Sequence, residues 1–167
     1  MLTPRIFNDE RGFFKETYSL DRYRRCGIEE AFVQDNVSLS RRDVLRGLHG
    51  DKRMAKLVGV LTGSAFDVIV DLRPESPTYR RWCGRTLTAR EGQQIYVPRG
   101  FLHGFLALED RTIFAYKQSA LYDPASELAV IWNDEDLGIE WPLGGRAPIL
   151  SARDSANPKL AALPRSL

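Results

Sequence analysis

A chain of 167 residues, 43% hydrophobic and 28% charged, can bury one substantial core and is short for two, so a single domain over 1–167 is expected. Its 24 basic and 22 acidic residues are interspersed, with no basic block longer than the Arg22 to Arg25 cluster. That argues against nucleic acid as the main partner and leaves room for local basic pockets suited to a phosphorylated small molecule. Cys26 and Cys83 are too few for a disulfide framework or a zinc site and fit a reducing cytoplasm. No eighteen apolar residues follow one another and charges begin at Arg5, so neither a membrane span nor a signal peptide is expected.

In chain order, the first pattern is a short helix over Leu20 to Cys26, ended by Gly27. The β-rich segment before it has no obvious local pairing partner. Ala55 to Leu61 reads as a strand, followed by a Thr62-Gly63 turn. Ser64 to Leu72 alternates cleanly: Phe66, Val68, Val70 and Leu72 share one face and Ala65, Asp67, Ile69 and Asp71 the other, the pattern of a half-buried strand. Further strands are expected at Gln93 to Val97, Phe101 to Leu108, Thr112 to Gln118 and Glu127 to Trp132, with turn chemistry between them. Helical pattern returns only from Pro158 onward. Many short strands at this spacing imply an all-β sandwich, jelly roll or barrel with a few short helices. Such folds bind ligands in the mouth or between the sheets, so polar residues on apolar strands are the ones to weigh.

The chain has two histidines, 54 positions apart. Each reads either as a hydrogen-bonded core residue or as a site residue, and residue type alone leaves both open. His49 lies in Leu45-Arg46-Gly47-Leu48-His49-Gly50-Asp51, where Arg46 and His49 would face opposite ways on a regular strand. Gly47 is where a bend could turn both toward one ligand. A metal-binding barrel needs several closely spaced histidines and a carboxylate, and two isolated histidines favour a metal-free site. Tyr116 and Tyr122 share a face if the strand stays extended, yet strand tyrosines commonly pack with the hydroxyl at a rim. Lys56 reads as a strand-end lysine, Arg11 and Glu16 as a surface pair, and Asp154 as a loop residue.

Taken together, several runs in order resemble the dTDP-4-dehydrorhamnose 3,5-epimerases over nearly the whole chain, from Phe7 to about Pro158. They include Asp9, Arg11 and Gly12, then Phe14 and Glu16. Next come Phe32-Val33-Gln34-Asp35-Asn36, Leu45-Arg46-Gly47-Leu48-His49, Lys56-Leu57-Val58 and Val70-Asp71-Leu72-Arg73. Gly100-Phe101, His103-Gly104-Phe105, Tyr116-Lys117, Trp132-Asn133-Asp134, Trp141-Pro142 and Leu150-Ser151 with Asp154 complete the series. The resemblance implies a cupin-like jelly-roll homodimer without metal or cofactor, acting on a nucleotide-diphosphate 4-keto sugar. It implies His49 as base with Asp154 orienting it, Tyr116 as acid on the opposite face, and Lys56 beside the enolate oxygen. Arg46, His103 and Arg153 would bind sugar and diphosphate, Tyr122 would form a stacking platform, and Gln34, Asn36, Arg11, Glu16 and Glu127 would hold nucleotide and sugar.

One departure separates the chain from typical members. The stretch from His49 to Lys56 is shortened and begins Gly50-Asp51, which, with Tyr116-Lys117-Gln118-Ser119, resembles a subgroup acting on GDP-linked 6-deoxy-heptoses. Two other readings stay in view: a sugar-nucleotide 3,4-ketoisomerase on the same fold, for which the tyrosine donor is dispensable, and a non-catalytic sugar-binding cupin, which has no need of an acid and a base on separate segments.

Overall fold

The computed structural model describes residues 1–163. The N-terminal segment supplies its own partner: β1 (Ile6–Asp9) and β2 (Gly12–Lys15) form a hairpin with Ile6 opposite Lys15. Asp9 closes it, accepting hydrogen bonds from both the backbone N–H and the guanidinium of Arg11. The expected helix follows as α1 (Leu20–Arg25), and the chain leaves it through Gly27 at φ +83°.

Two antiparallel sheets make up the body. The first orders β3 (Gln34–Ser40), β10 (Thr112–Gln118), β5 (Lys56–Thr62) and β8 (Gln94–Val97). The second orders β11 (Glu127–Ala129), β4 (Leu45–Asp51), β9 (Phe101–Ala107), β6 (Ser64–Asp71) and β7 (Trp82–Thr88). The result is a cupin-like jelly roll, one of the all-β architectures that the strand spacing allows and the one that the family resemblance implies. β3, β4 and β7 carry too many polar or glycine positions to stand out in the sequence.

One strand departs from expectation. β6 is buried on both faces, because the five-stranded sheet is covered on its outer side as well. There Leu48, Val68, Val70, Leu72 and Leu102 meet Val130, Leu137 and Leu160 of the C-terminal segment. The same segment shortens the run expected at Glu127 to Trp132. Regular pairing stops at Ala129, Val130 still exchanges backbone hydrogen bonds with Leu48, and Ile131 then donates to the Pro158 carbonyl. The helical pattern expected from Pro158 onward is a single 3-10 turn at Leu160–Ala162, and residues 164–167 lie outside the described residues.

Between the sheets, Val58, Val60, Ala65, Leu87, Ile95, Val97, Phe105 and Phe114 form an apolar plug. Phe105 and Phe114 stack at its centre with ring centroids 4.0 Å apart, each buried ring contributing about 1.5–3 kcal/mol. The plug closes one part of the interior and leaves the polar inward residues of β3, β4 and β10 around a cavity. No helix among the described residues is long and apolar enough to cross a membrane, and Cys26 and Cys83 are both free and exposed.

Candidate active site

The cavity, about 440 Å³, is walled by both sheets. From the five-stranded sheet come Arg46, His49, His103, Phe105 and Glu127, and from the four-stranded sheet Gln34, Asn36, Ser38, Lys56, Tyr116 and Gln118. Tyr122, Ser151, Arg153 and Asp154 close the rim.

Arg46 and His49 both line it because β4 loses register with β9 between them. Arg46 pairs with Phe105 and His49 with His103, so one fewer residue of β9 spans the same stretch. Gly47 sits in that irregularity at φ +128°, and the Gly47–Leu48 peptide is cis. A Cβ on Gly47 would lie 2.6 Å from the Gly104 Cα, so the close approach of the two strands requires glycine. Gly50 is tight for the same reason: a Cβ there would lie 2.5 Å from the Phe101 carbonyl oxygen.

His49 Nε2 lies 2.7 Å from Asp154 Oδ1. A carboxylate can only accept, so Nε2 carries the hydrogen, and in the neutral ring Nδ1 is the nitrogen with the lone pair. Asp154 belongs to a one-turn helix, α2 (Ala152–Ser155), capped by Ser151, whose Oγ accepts from the Asp154 N–H at 3.0 Å. Burial alone would raise the Asp154 carboxyl, but the His49 hydrogen bond and charge, helped by Ser151 and Arg153, hold it below the usual carboxylate range. It therefore stays ionised at 5% exposure.

Tyr116 stands on the opposite sheet, in register with Asn36 and Val58. Burial pushes its phenol above the ordinary value, against the opposing pull of Arg46, so the hydroxyl keeps its proton. Lys56 begins β5 and donates to the His49 carbonyl at 3.4 Å. Burial lowers its ammonium to about 8, although the charges of Asp51 and Asp67 work the other way. His103 Nε2 lies 2.6 Å from Oδ2 of Asp67, which is 0% exposed. Arg46 is held by Ser40 Oγ at 3.2 Å.

At the rim, Arg153 is ion-paired to Glu127, and the Tyr122 hydroxyl reaches Glu127 at 3.3 Å. The strand ends at Gln118, so Tyr122 arrives from a loop rather than along an extended β10; its N–H donates to Gln34 Oε1 at 3.1 Å. Asp51 does not line the cavity. It accepts from Arg53 and from Ser126 Oγ, pinning the loop that carries Tyr122. Eleven of the thirteen residues singled out in the sequence line this cavity. Arg11 and Glu16 stand apart from it within one chain: Arg11 pairs with Asp9, and Glu16 with Arg22 at 3.3 Å.

Three side chains escaped the reading of the sequence. Asp67 was visible as a carboxylate in the middle of an otherwise apolar strand, on the face it shares with Asp71. Gln118, in the Tyr116 to Ser119 run, and Ser38, two residues after Asn36, stand in segments that carry the family resemblance but were given no role there. Among the described residues no three His, Cys, Asp or Glu side chains cluster as a metal ligand set.

Comparison with known proteins shows the family to which the chain belongs. The family model for dTDP-4-dehydrorhamnose 3,5-epimerase matches residues 1–162. The dTDP-4-dehydrorhamnose 3,5-epimerase of Salmonella typhimurium is 46% identical over 164 residues, covering 96% of this chain and 89% of the relative. Among solved structures, a dTDP-6-deoxy-D-glucose-3,5-epimerase of Legionella pneumophila in complex with dTDP-4-keto-L-rhamnose superposes with a TM-score of 0.93 at 44% identity, covering 97% of this chain and 87% of the other. A 3′-monoepimerase of Streptomyces bikiniensis in complex with dTDP-quinovose gives 0.89 at 35% identity, with 96% and 82% covered. The chain belongs to the dTDP-4-dehydrorhamnose 3,5-epimerase family of sugar-nucleotide isomerases.

Proposed function

We propose that the chain inverts C3, C5 or both of a dTDP-linked 4-keto-6-deoxy hexose through an enolate. The observation that carries this is the position of the two proton-transfer candidates: His49, oriented by Asp154, and Tyr116 line one cavity from opposite sheets. A carbon acid beside a ketone needs a base on one face, a positive group at the oxygen where charge collects, and a donor on the other face if the centre is to invert. His49 Nδ1 takes the proton from carbon and the C–H electron pair moves into the enolate. Lys56 faces its oxygen. Tyr116 then protonates the carbon from the other side, and solvent returns the proton to tyrosine and takes the one on histidine. The ketone of the substrate is the only electron sink the step requires, so the mechanism uses neither metal nor redox cofactor.

Arg46, His103 and Arg153 supply positive or donating groups for sugar and diphosphate, while Tyr122, Glu127, Gln34 and Asn36 flank them. The nucleotide is assigned from the relatives, whose names and bound ligands are dTDP sugars. The Gly50-Asp51 departure does not argue otherwise, since Asp51 is engaged with the rim loop.

We further propose a homodimer. On β3 the inward side chains are polar and the outward ones include Val37 at 67% and Leu39 at 57% exposure, with Leu61 of β5 also exposed two strands away in the same sheet. An apolar outer sheet face of this kind is suited to a second copy, which would also bring another hairpin with its Arg11 and Glu16 near a site.

The test is incubation of the pure protein with dTDP- and GDP-linked 4-keto-6-deoxy sugars in deuterated water with chelator present throughout. The reading expects deuterium at C3, C5 or both of the dTDP sugar, with inversion. Loss of turnover in chelator and rescue by one divalent ion would contradict it, as would exchange confined to the GDP sugar.

A further inference from the structure

A one-directional chain of amides runs along the wall of the cavity. The Tyr122 backbone N–H, which can only donate, bonds Gln34 Oε1 at 3.1 Å. Gln34 Nε2 donates to Asn36 Oδ1 at 3.1 Å, and Asn36 Nδ2 donates to Gln118 Oε1 at 3.1 Å. Because the first donor has no alternative role, every amide downstream is fixed in orientation, and the usual ambiguity between amide oxygen and nitrogen disappears. The chain ends on Gln118 Nε2, which has no protein acceptor among the described residues.

Gln118 is 6% exposed and lines the cavity. In the sheet it stands directly between Gln34 on one side and Lys56 on the other. Directly opposed residues on one face of an antiparallel sheet have Cβ atoms about 4.5–5.5 Å apart. Two donors so placed, an ammonium and an amide, match two oxygens on neighbouring carbons of a sugar. A half-buried donor whose acceptor comes only from the ligand discriminates against ligands that lack it, because it is then left unpaired.

We infer that Gln118 is a specificity-determining residue whose Nε2 donates to the sugar 3-hydroxyl, next to the 4-keto oxygen that Lys56 faces. This rests on the epimerase reading. Gln34 and Asn36 act partly through it: besides any contact of their own with substrate, they transmit the orientation of the Tyr122 N–H to the group that reads the sugar. The favoured ligand is a 3-hydroxy-4-keto sugar nucleotide, and the disfavoured one its 3-deoxy counterpart.

The experiment compares kcat/KM for C5 deuterium exchange on the dTDP-linked 4-keto-6-deoxy hexose and on its 3-deoxy analogue, in wild type, Gln118→Met and Gln118→Glu. The glutamate variant is nearly isosteric and keeps an acceptor for Asn36; it replaces the donor by an oxygen that only accepts, and the charge it adds beside Lys56 acts on both substrates alike, so the preference between them decides the matter if the methionine variant fails to fold. Wild type is expected to disfavour the 3-deoxy analogue by about tenfold or more, and the folded variants to treat the two substrates alike within about twofold. Variants that keep the wild-type preference, or a wild type active on both sugars without preference, would overturn this inference alone. A wild type inert toward both would overturn the epimerase reading and this inference with it.

Discussion

Asp154 accepts a hydrogen bond from His49 at 2.7 Å although the two residues lie 105 positions apart in the chain. The contact joins the centre of β4 to the first turn of α2, and it sets which nitrogen of the imidazole faces the cavity.

His49→Ala should therefore abolish solvent exchange at every carbon of the substrate. Asp154→Asn should lower kcat by roughly 10²- to 10⁴-fold while leaving some exchange, since an imidazole in the wrong tautomer or orientation is a poorer base rather than none. Single-turnover exchange followed by NMR checks both. A fully active His49→Ala variant would move the site elsewhere.

Lys56 should set the alkaline limb of the pH profile. Its burial lowers the ammonium to about 8, so the charged form that faces the enolate dominates below that value and is lost as pH rises through it. kcat/KM should then fall above about pH 8, and the Lys56→Arg limb should move upward because a guanidinium stays charged. Tyr116 does not account for such a limb, since burial raises its phenol from the ordinary value. An unchanged limb in Lys56→Arg would assign it to another group.

Charges placed on the outer face of the four-stranded sheet should disturb assembly rather than the cavity. Val37 and Leu39 point away from the site on a strand whose other face carries Gln34, Asn36 and Ser38. Val37→Asp with Leu39→Asp is expected to give a monomer by light scattering, with thermal melting showing whether the fold is kept. A folded monomer with full activity would argue against any contribution of a second copy to the site.

Much of this architecture was legible from residue pattern, and the exceptions have physical causes. Thr112 to Gln118 reads as a strand and is one, because alternation survives where one face is buried and the other is not. β6 reads as half-buried because its Asp67 and Asp71 look like a solvent face, yet Asp67 is paired with His103 and Asp71 is held by Arg73, Ser76 and Thr78. The glycine between Arg46 and His49 correctly suggested that they converge. The partnership of His49 with Asp154 was not legible from spacing, since it depends on a four-residue helix folding back over β4. Its one local trace is Ser151 three residues before Asp154, the spacing at which a cap bonds the backbone N–H. Cross-chain relationships such as the amide series ending at Gln118 require strand register, which no single segment contains.

Tyr116 supplies the most direct test of proton transfer across the cavity, because Tyr116→Phe keeps the ring, its packing and the His49 base and removes only the hydroxyl. The enolate should still form in the variant, so the substrate should continue to take up solvent deuterium with retention while inverted product falls by about a hundredfold or more. Equal loss of exchange and inversion would mean that Tyr116 holds the substrate rather than protonating it, and undiminished inversion would contradict the two-wall mechanism outright.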